Sequence, residues 1–322
     1  MADAATVAGC CVGAGFLSGK EAALYYGNNL SVFVFVAVFC VLTFVVRRFA
    51  LKNRSQDVSA LCKACYPKMG TALATMTSFC CFVCVVAILA GAERCLSALL
   101  LPNFDAFYGL IVGLFGVLVV KSGLHALKVL NVISLAVAGV YVVWLAVEVK
   151  GGNFAPIDTP LYAPLVYATF SVTMALGVVS KLAQTDTKSN IVATVASGVL
   201  LVALALSVLH LCDFNLELPL LKRTQNTALN AVGGVAIILC TITGVSCNAM
   251  PVVDCIKDVF DGDVTLCLLC VFAVATAFSL LGVDIVMKYG YLIIAGVGLI
   301  IVCGCLIKGK PNKHTIRKRK KI

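Results

Sequence analysis

Charge is scarce in this chain. Only 12% of its 322 residues are Asp, Glu, Lys or Arg, and 61% are hydrophobic, against about 25% and about half in a soluble domain. That excludes a soluble globule. Histidine is rarer still: His125, His210 and His314 are far apart, so no histidine cluster exists to hold a metal or run acid–base catalysis. No GxSxG or HExxH pattern occurs, and an enzyme is not expected. A nucleotide loop also fails, because Walker A would need glycine at Ala14 and Ser or Thr at Glu21, and GxGxxG would need glycine at Ser18. The opening MADAATVAGCC lacks the basic region of a signal peptide, and Val7-Ala8-Gly9-Cys10 has too few residues before it to be a lipobox. The first hydrophobic segment is therefore expected to stay in the membrane.

Long apolar runs fill the rest. About 20 apolar residues cross a bilayer core, and windowed hydropathy predicts ten spans, near 4–26, 28–49, 70–100, 106–121, 129–148, 161–181, 190–211, 227–251, 264–281 and 284–307. If Met1 faces the cytoplasm, 19 of the 25 Lys and Arg fall on the inner side. Eight of these belong to the tail after Leu306, KGKPNKHTIRKRKKI, read as a basic cytoplasmic end touching anionic lipid. Ten helices with both termini inside fit this asymmetry, and an odd count would put the tail outside. Nucleic acid is not an expected partner, since the net charge of +10 is concentrated in connections and tail. The 17 cysteines lie mostly inside apolar spans, where they act as small hydrophobes. Cys62/Cys65 and Cys267/Cys270 are isolated CxxC matches without a second pair. The predicted class is an all-α integral membrane protein, one domain over 1–322, in which function lies within the helices.

The first span is a poor helix: it places Gly9, Gly13, Gly15 and Gly19 within eleven positions and adds Lys20 and Glu21. Each interior glycine costs about 1 kcal/mol against alanine. Close helix packing through the two GxxxG pairs is one explanation. The other is an interruption around Cys11 to Gly15, with a half-helix beginning near Gly15 that points N–H groups at a carboxylate. The half-helix ending near Val12 would point carbonyls at a small cation.

These residues also carry a resemblance. Gly13-Ala14-Gly15-Phe16-x-Ser18-Gly19-Lys20-Glu21, together with Gly282-Val283-Asp284-x-Val286 and Tyr289, resembles the YkvI-like bacterial membrane proteins. Those are relatives of the amino acid/polyamine/organocation transporters with the LeuT-type fold. The resemblance implies a five-plus-five inverted repeat, with repeat one about 1–150, repeat two about 155–307, and 308–322 as the tail. It implies a solute between spans 1 and 6, both interrupted, and often one sodium between spans 1 and 8. In the sixth span only Pro164 and Gly177 are breakers, and Ser171 stands where the family often has Asn. The expected solute site is Cys11, Gly13, Ala14, Gly15, Phe16, Tyr167, Thr169, Phe170 and Ser171.

Hydroxyls of Thr241, Thr243 and Ser246 could bind sodium with the carbonyls of Gly9, Val12 and Cys240, or simply bond within their own helix. An ionisable group at membrane depth points to function. Glu21 is thus a gate or coupling candidate with Lys20, Asp284 and Lys288, ranked after the simpler readings of a Lys20 or outer-water contact for Glu21 and a local Asp284–Lys288 pair. The expected activity is sodium- or proton-driven transport of a small amino acid or related solute in a bacterial inner membrane, without other cofactors. A non-transporting receptor on the same fold, like a spore germinant receptor subunit, is the alternative. Oligomeric state is not readable.

Overall fold

In a bilayer the backbone must satisfy its own hydrogen bonds, so helices are the expected solution. The computed structural model of the chain describes residues 1–99, 105–149, 156–183, 186–221, 223–259, 263–280 and 289–309. Among them are twelve α-helices and no strand. The first span divides into α1 (Ala2–Gly9), α2 (Ala14–Leu17) and α3 (Lys20–Tyr25). The others are α4 (Asn29–Asn53), α5 (Val58–Cys65), α6 (Gly70–Leu99), α7 (Asp105–Val149), α8 (Tyr162–Leu182), α9 (Thr187–Leu211), α10 (Thr227–Val259), α11 (Val264–Ser279) and α12 (Tyr291–Gly309). Seven are long and apolar enough to cross a membrane.

Short polar side chains set several starts: the oxygens of Asn28, Asp57, Asp186 and Asp263 accept backbone N–H groups at the heads of α4, α5, α9 and α11. The apolar stretch Tyr108–Val149 has 42 residues, about 63 Å if straight, twice a bilayer core of about 30 Å. It turns at Gly123, the one non-helical position inside α7 (φ 80°, ψ −168°), which separates the fourth and fifth spans. Their expected loop shrinks to this point.

Lipid-facing and interior surfaces are reversed relative to a soluble protein. Phe33, Phe79, Leu118, Val147, Val199 and Ile293 are exposed, while Thr6, Glu21, Asn131, Ser197, Thr241 and Asn248 are buried. Polar bonds between membrane helices average only about 0.6 kcal/mol, so close packing through small residues must carry most of the cohesion. Twelve of the cysteines are buried and all are free, and they serve that packing. Cys40 lies where a methyl on Gly198 would collide with its sulfur, and Cys65 meets Cys305 at 3.5 Å.

Three expectations need correction. The sixth span is not interrupted: α8 runs unbroken through its 21 residues. Pro164 sits in its first turn, where a missing N–H is harmless, and Gly177 is simply flat against Pro251 of α10. The eighth span extends beyond its expected end at 251 to Val259, with Pro251 accommodated inside α10 and its carbonyl accepting from Ser78. Arg47, one of the 19 charges counted in the inner connections and tail, lies instead within α4 and is 1% exposed, with Nη1 donating to the Asn190 carbonyl at 3.5 Å.

Candidate functional site

At the end of α1 the N–H groups of Cys10, Cys11 and Val12 still turn back to Thr6, Ala8 and Gly9. The chain then becomes extended at Gly13 (φ −111°, ψ −171°) before α2. Gly9 is required by proximity, since a methyl there would collide with the amide oxygen of Asn131 on α7. A second break follows at Gly19, whose φ of 80° is left-handed and favours glycine. A side chain there would also strike Cys212 and Pro219. The segment after α9 fills this gap, with the Leu220 N–H donating to the Ser18 carbonyl at 2.9 Å. The half-helix expected to start near Gly15 is thus only four residues long, too short to build much of a dipole.

The second break turns Glu21 inward. Its side chain lies beside Gly15, where a methyl would come within 2.6 Å of Oε1. Glu21 is 6% exposed. The Tyr291 hydroxyl donates to Oε1 at 2.9 Å and the Tyr167 hydroxyl to Oε2. Among the described residues, no lysine or arginine forms an ion pair with it. The outer-water contact is therefore replaced by burial between α8 and α12. Lys20 is half-buried, while Asp284 and Lys288 lie outside the described residues.

Glu21 borders a partly open cavity of about 40 Å³ between the first break, α6, α8, α10 and α12. Cys11, Gly13, Ala14, Gly15 and Phe170 from the proposed solute set line it, with Cys10, Ile88, Gly91, Met174, Gly244 and Tyr291. Tyr167 sits over Glu21 rather than on the wall. Phe16 turns away toward Tyr26, with ring centroids 6.1 Å apart. The Thr169 hydroxyl is engaged by the Leu165 carbonyl, and Ser171 meets the first span through its backbone oxygen, 3.9 Å from Cys11 Sγ. An aromatic stack closes the site beyond Glu21: Phe170 on Tyr291 (3.7 Å), Tyr291 on Tyr25 (5.6 Å) and Tyr25 on Tyr167 (5.2 Å). Tyr291 was missed because a tyrosine two positions earlier, Tyr289, drew the motif; Tyr289 is 56% exposed and Tyr291 only 6%. Neither composition nor spacing separates them.

Where the first span meets α10, α1 and α10 touch through Cys10 and Cys247, whose sulfurs are 2.7 Å apart. The hydroxyls of Thr241, Thr243 and Ser246 donate to Ile237, Cys240 and Ile242 carbonyls, which leaves their lone pairs free to accept. The Gly9 carbonyl accepts from Val12, and Cys240 Sγ reaches the Ser134 carbonyl at 3.9 Å. The unforeseen member is Asn131: its Oδ1 is buried without a partner beside Gly9.

No protein-family model matches the sequence, and no curated protein is similar to it. The likeness to YkvI-like proteins rests on its motifs alone. Solved structures do match in shape. MhsT in complex with L-phenylalanine aligns with a TM-score of 0.69 at 13% identity, over 97% of this chain and 92% of that one. Mhp1, a nucleobase-cation-symport-1 family transporter closed around bromovinylhydantoin, gives 0.61 at 14%, over 86% and 70%. A manganese transporter from Eremococcus coleocola, in complex with an aromatic bis-isothiourea substituted compound, gives 0.57 at 13%, over 95% and 75%. The fold is therefore of the LeuT type, a multi-pass helical membrane architecture.

Proposed function

We propose that this chain is a secondary active transporter, symporter-like, for a small amino acid or related carboxylate or amine solute. The reading takes its fold as ten crossings in a bacterial inner membrane, with both termini cytoplasmic and kinship to the YkvI-like proteins. The observation that carries it is the small cavity at the break in the first span, bordered by a buried carboxylate and closed beyond it by stacked aromatics. A small volume favours a small solute, and a break that frees backbone groups is tolerated in a membrane only where they line a cavity.

In this scheme the solute enters from outside when the Tyr25, Tyr291 and Phe170 stack parts. The inner end is held shut by Asp3 of α1 paired with Lys128 of α7 at 2.7 Å, and breaking that pair frees α1 to move. Sodium and the proton are the two candidate coupling ions. Sodium fits the donor set, because Asn131 Oδ1 is a buried oxygen lacking a partner beside Gly9. Hard cations take such neutral oxygens. Uptake of a panel of labelled amino acids and amines by proteoliposomes, in sodium and in choline buffers, tests the reading. Accumulation of at least one solute is expected. Binding without accumulation would instead support the receptor alternative.

A further inference from the structure

Glu21 is the one ionisable carboxylate bordering the cavity among the described residues, and no lysine or arginine among those residues pairs with it. Both oxygens are engaged by tyrosine hydroxyls, yet a carboxylate has about four acceptor positions, so each oxygen keeps one free. A buried carboxylate without a cation is costly in a membrane interior. Phe170 and Tyr291 stack on each other beside it, 3.7 Å between ring centroids, and form an apolar wall next to the carboxylate. The remaining wall is Cys10, Cys11, alanine, Ile88, Met174 and glycine, with no lysine, arginine or histidine among the described residues.

Building on the proposed solute site, we infer that Glu21 is its specificity-determining group and that the ligand class is a primary ammonium carried on a short apolar body. The ligand donates to the free lone pairs of Glu21 while its carbon chain rests on Ile88 and Met174. This reverses the polarity expected of the break. A negative group already lies beside Gly15, and it belongs to the protein. A solute carboxylate in the same small space meets like charge, so a carboxylate is tolerated on the ligand only when an ammonium accompanies it.

Three related compounds separate the charges: alanine, ethylamine, which is alanine without the carboxylate, and propionate, which is alanine without the ammonium. Each is titrated against the purified full chain in detergent, following its thermal stabilisation, which rises with ligand occupancy. Ethylamine and alanine are expected to bind at least tenfold more tightly than propionate. Glu21→Gln should weaken both amines about tenfold to a hundredfold, the range of a lost charge-assisted hydrogen bond. Glu21→Asp, which keeps the charge, should retain the order of preference. Propionate binding as well as ethylamine overturns the inference, as does failure of all three to bind the wild-type chain. Unchanged amine affinity in Glu21→Gln also overturns it and leaves Glu21 as a proton carrier. Amine binding without uptake in proteoliposomes defeats the transporter reading while sparing this one.

Discussion

The first span and α8 face each other across the same cavity and solve opposite problems. Four glycines let the first span leave helical geometry twice, at Gly13 and at Gly19. In α8 the hydroxyls of Thr169 and Thr173 bond the carbonyls four residues back and the ladder is never interrupted. One side therefore offers the cavity backbone groups and the Glu21 carboxylate, and the other offers shape through Phe170 and Met174. Polarity at depth came from giving up helix on one wall only, which limits the number of buried backbone groups left for a ligand to satisfy.

The largest expected effect comes from two glycines of the break that sequence alone makes equivalent. A methyl on Gly15 meets the Glu21 carboxylate at 2.6 Å, whereas one on Gly13 meets nothing within 4 Å. Gly13 also has an extended conformation open to any residue. Gly15→Val should abolish solute binding and uptake with the protein still inserted, because it evicts Glu21 from beside the cavity. Gly13→Ala should keep uptake within about threefold, a cost below about 1 kcal/mol. Similar losses in both variants would mean that the break itself, and not the Glu21 position, governs the site.

A smaller effect is expected at the second break, and it appears in stability. Left-handed backbone costs a non-glycine residue about 1–2 kcal/mol. At Gly19 a new side chain also strikes Cys212 and Pro219, so Gly19→Ala should lower the thermal midpoint by several degrees. Gly139, inside α7 with open space around it, is the control. Gly139→Ala should be neutral or stabilising by about 0.5–1 kcal/mol, the ordinary gain of alanine over glycine in a helix. A midpoint for Gly19→Ala at or above that of Gly139→Ala would contradict the strained turn.

Membrane class and the first interruption were legible because both follow from local composition: scarce charge, long apolar runs and glycine density. The second interruption was not, although Gly19 was visible. Its conformation depends on Leu220, Pro219 and Cys212, about two hundred residues away, which dock on Ser18 and Gly19. Glu21 was legible as costly at depth but not as buried, since Tyr167 and Tyr291 reach it from α8 and α12. The interruption expected in α8 came from family resemblance. It failed because the breakers present, a first-turn proline and a glycine packed on Pro251, do not release backbone in the middle of the helix.

The smallest expected effect lies where the first span meets α10 and α7. Thr243 donates to the Cys240 carbonyl at 2.9 Å and Thr241 to the Ile237 carbonyl at 2.6 Å. These are ordinary helical bonds, so neither hydroxyl is held out for an ion, and each would contribute only a lone pair. Asn131 differs, because Oδ1 is buried with no donor while its amide nitrogen is spent on the Leu127 carbonyl. If sodium couples transport, removing this oxygen should matter more than removing either hydroxyl. Asn131→Ala is expected to raise the sodium concentration for half-maximal uptake about tenfold, and Thr243→Ala about threefold to fivefold, near the value of one neutral polar contact of about 1 kcal/mol. Thr241→Ala should do less. Proton coupling predicts a different pattern, because Lys128 is already paired with Asp3 at 2.7 Å and leaves Glu21 as the titrating group. Uptake would then be steep in pH, indifferent to sodium, and insensitive to Asn131→Ala. Equal uptake in sodium and choline at fixed pH would remove the sodium assignment and leave Asn131 as a packing residue against Gly9.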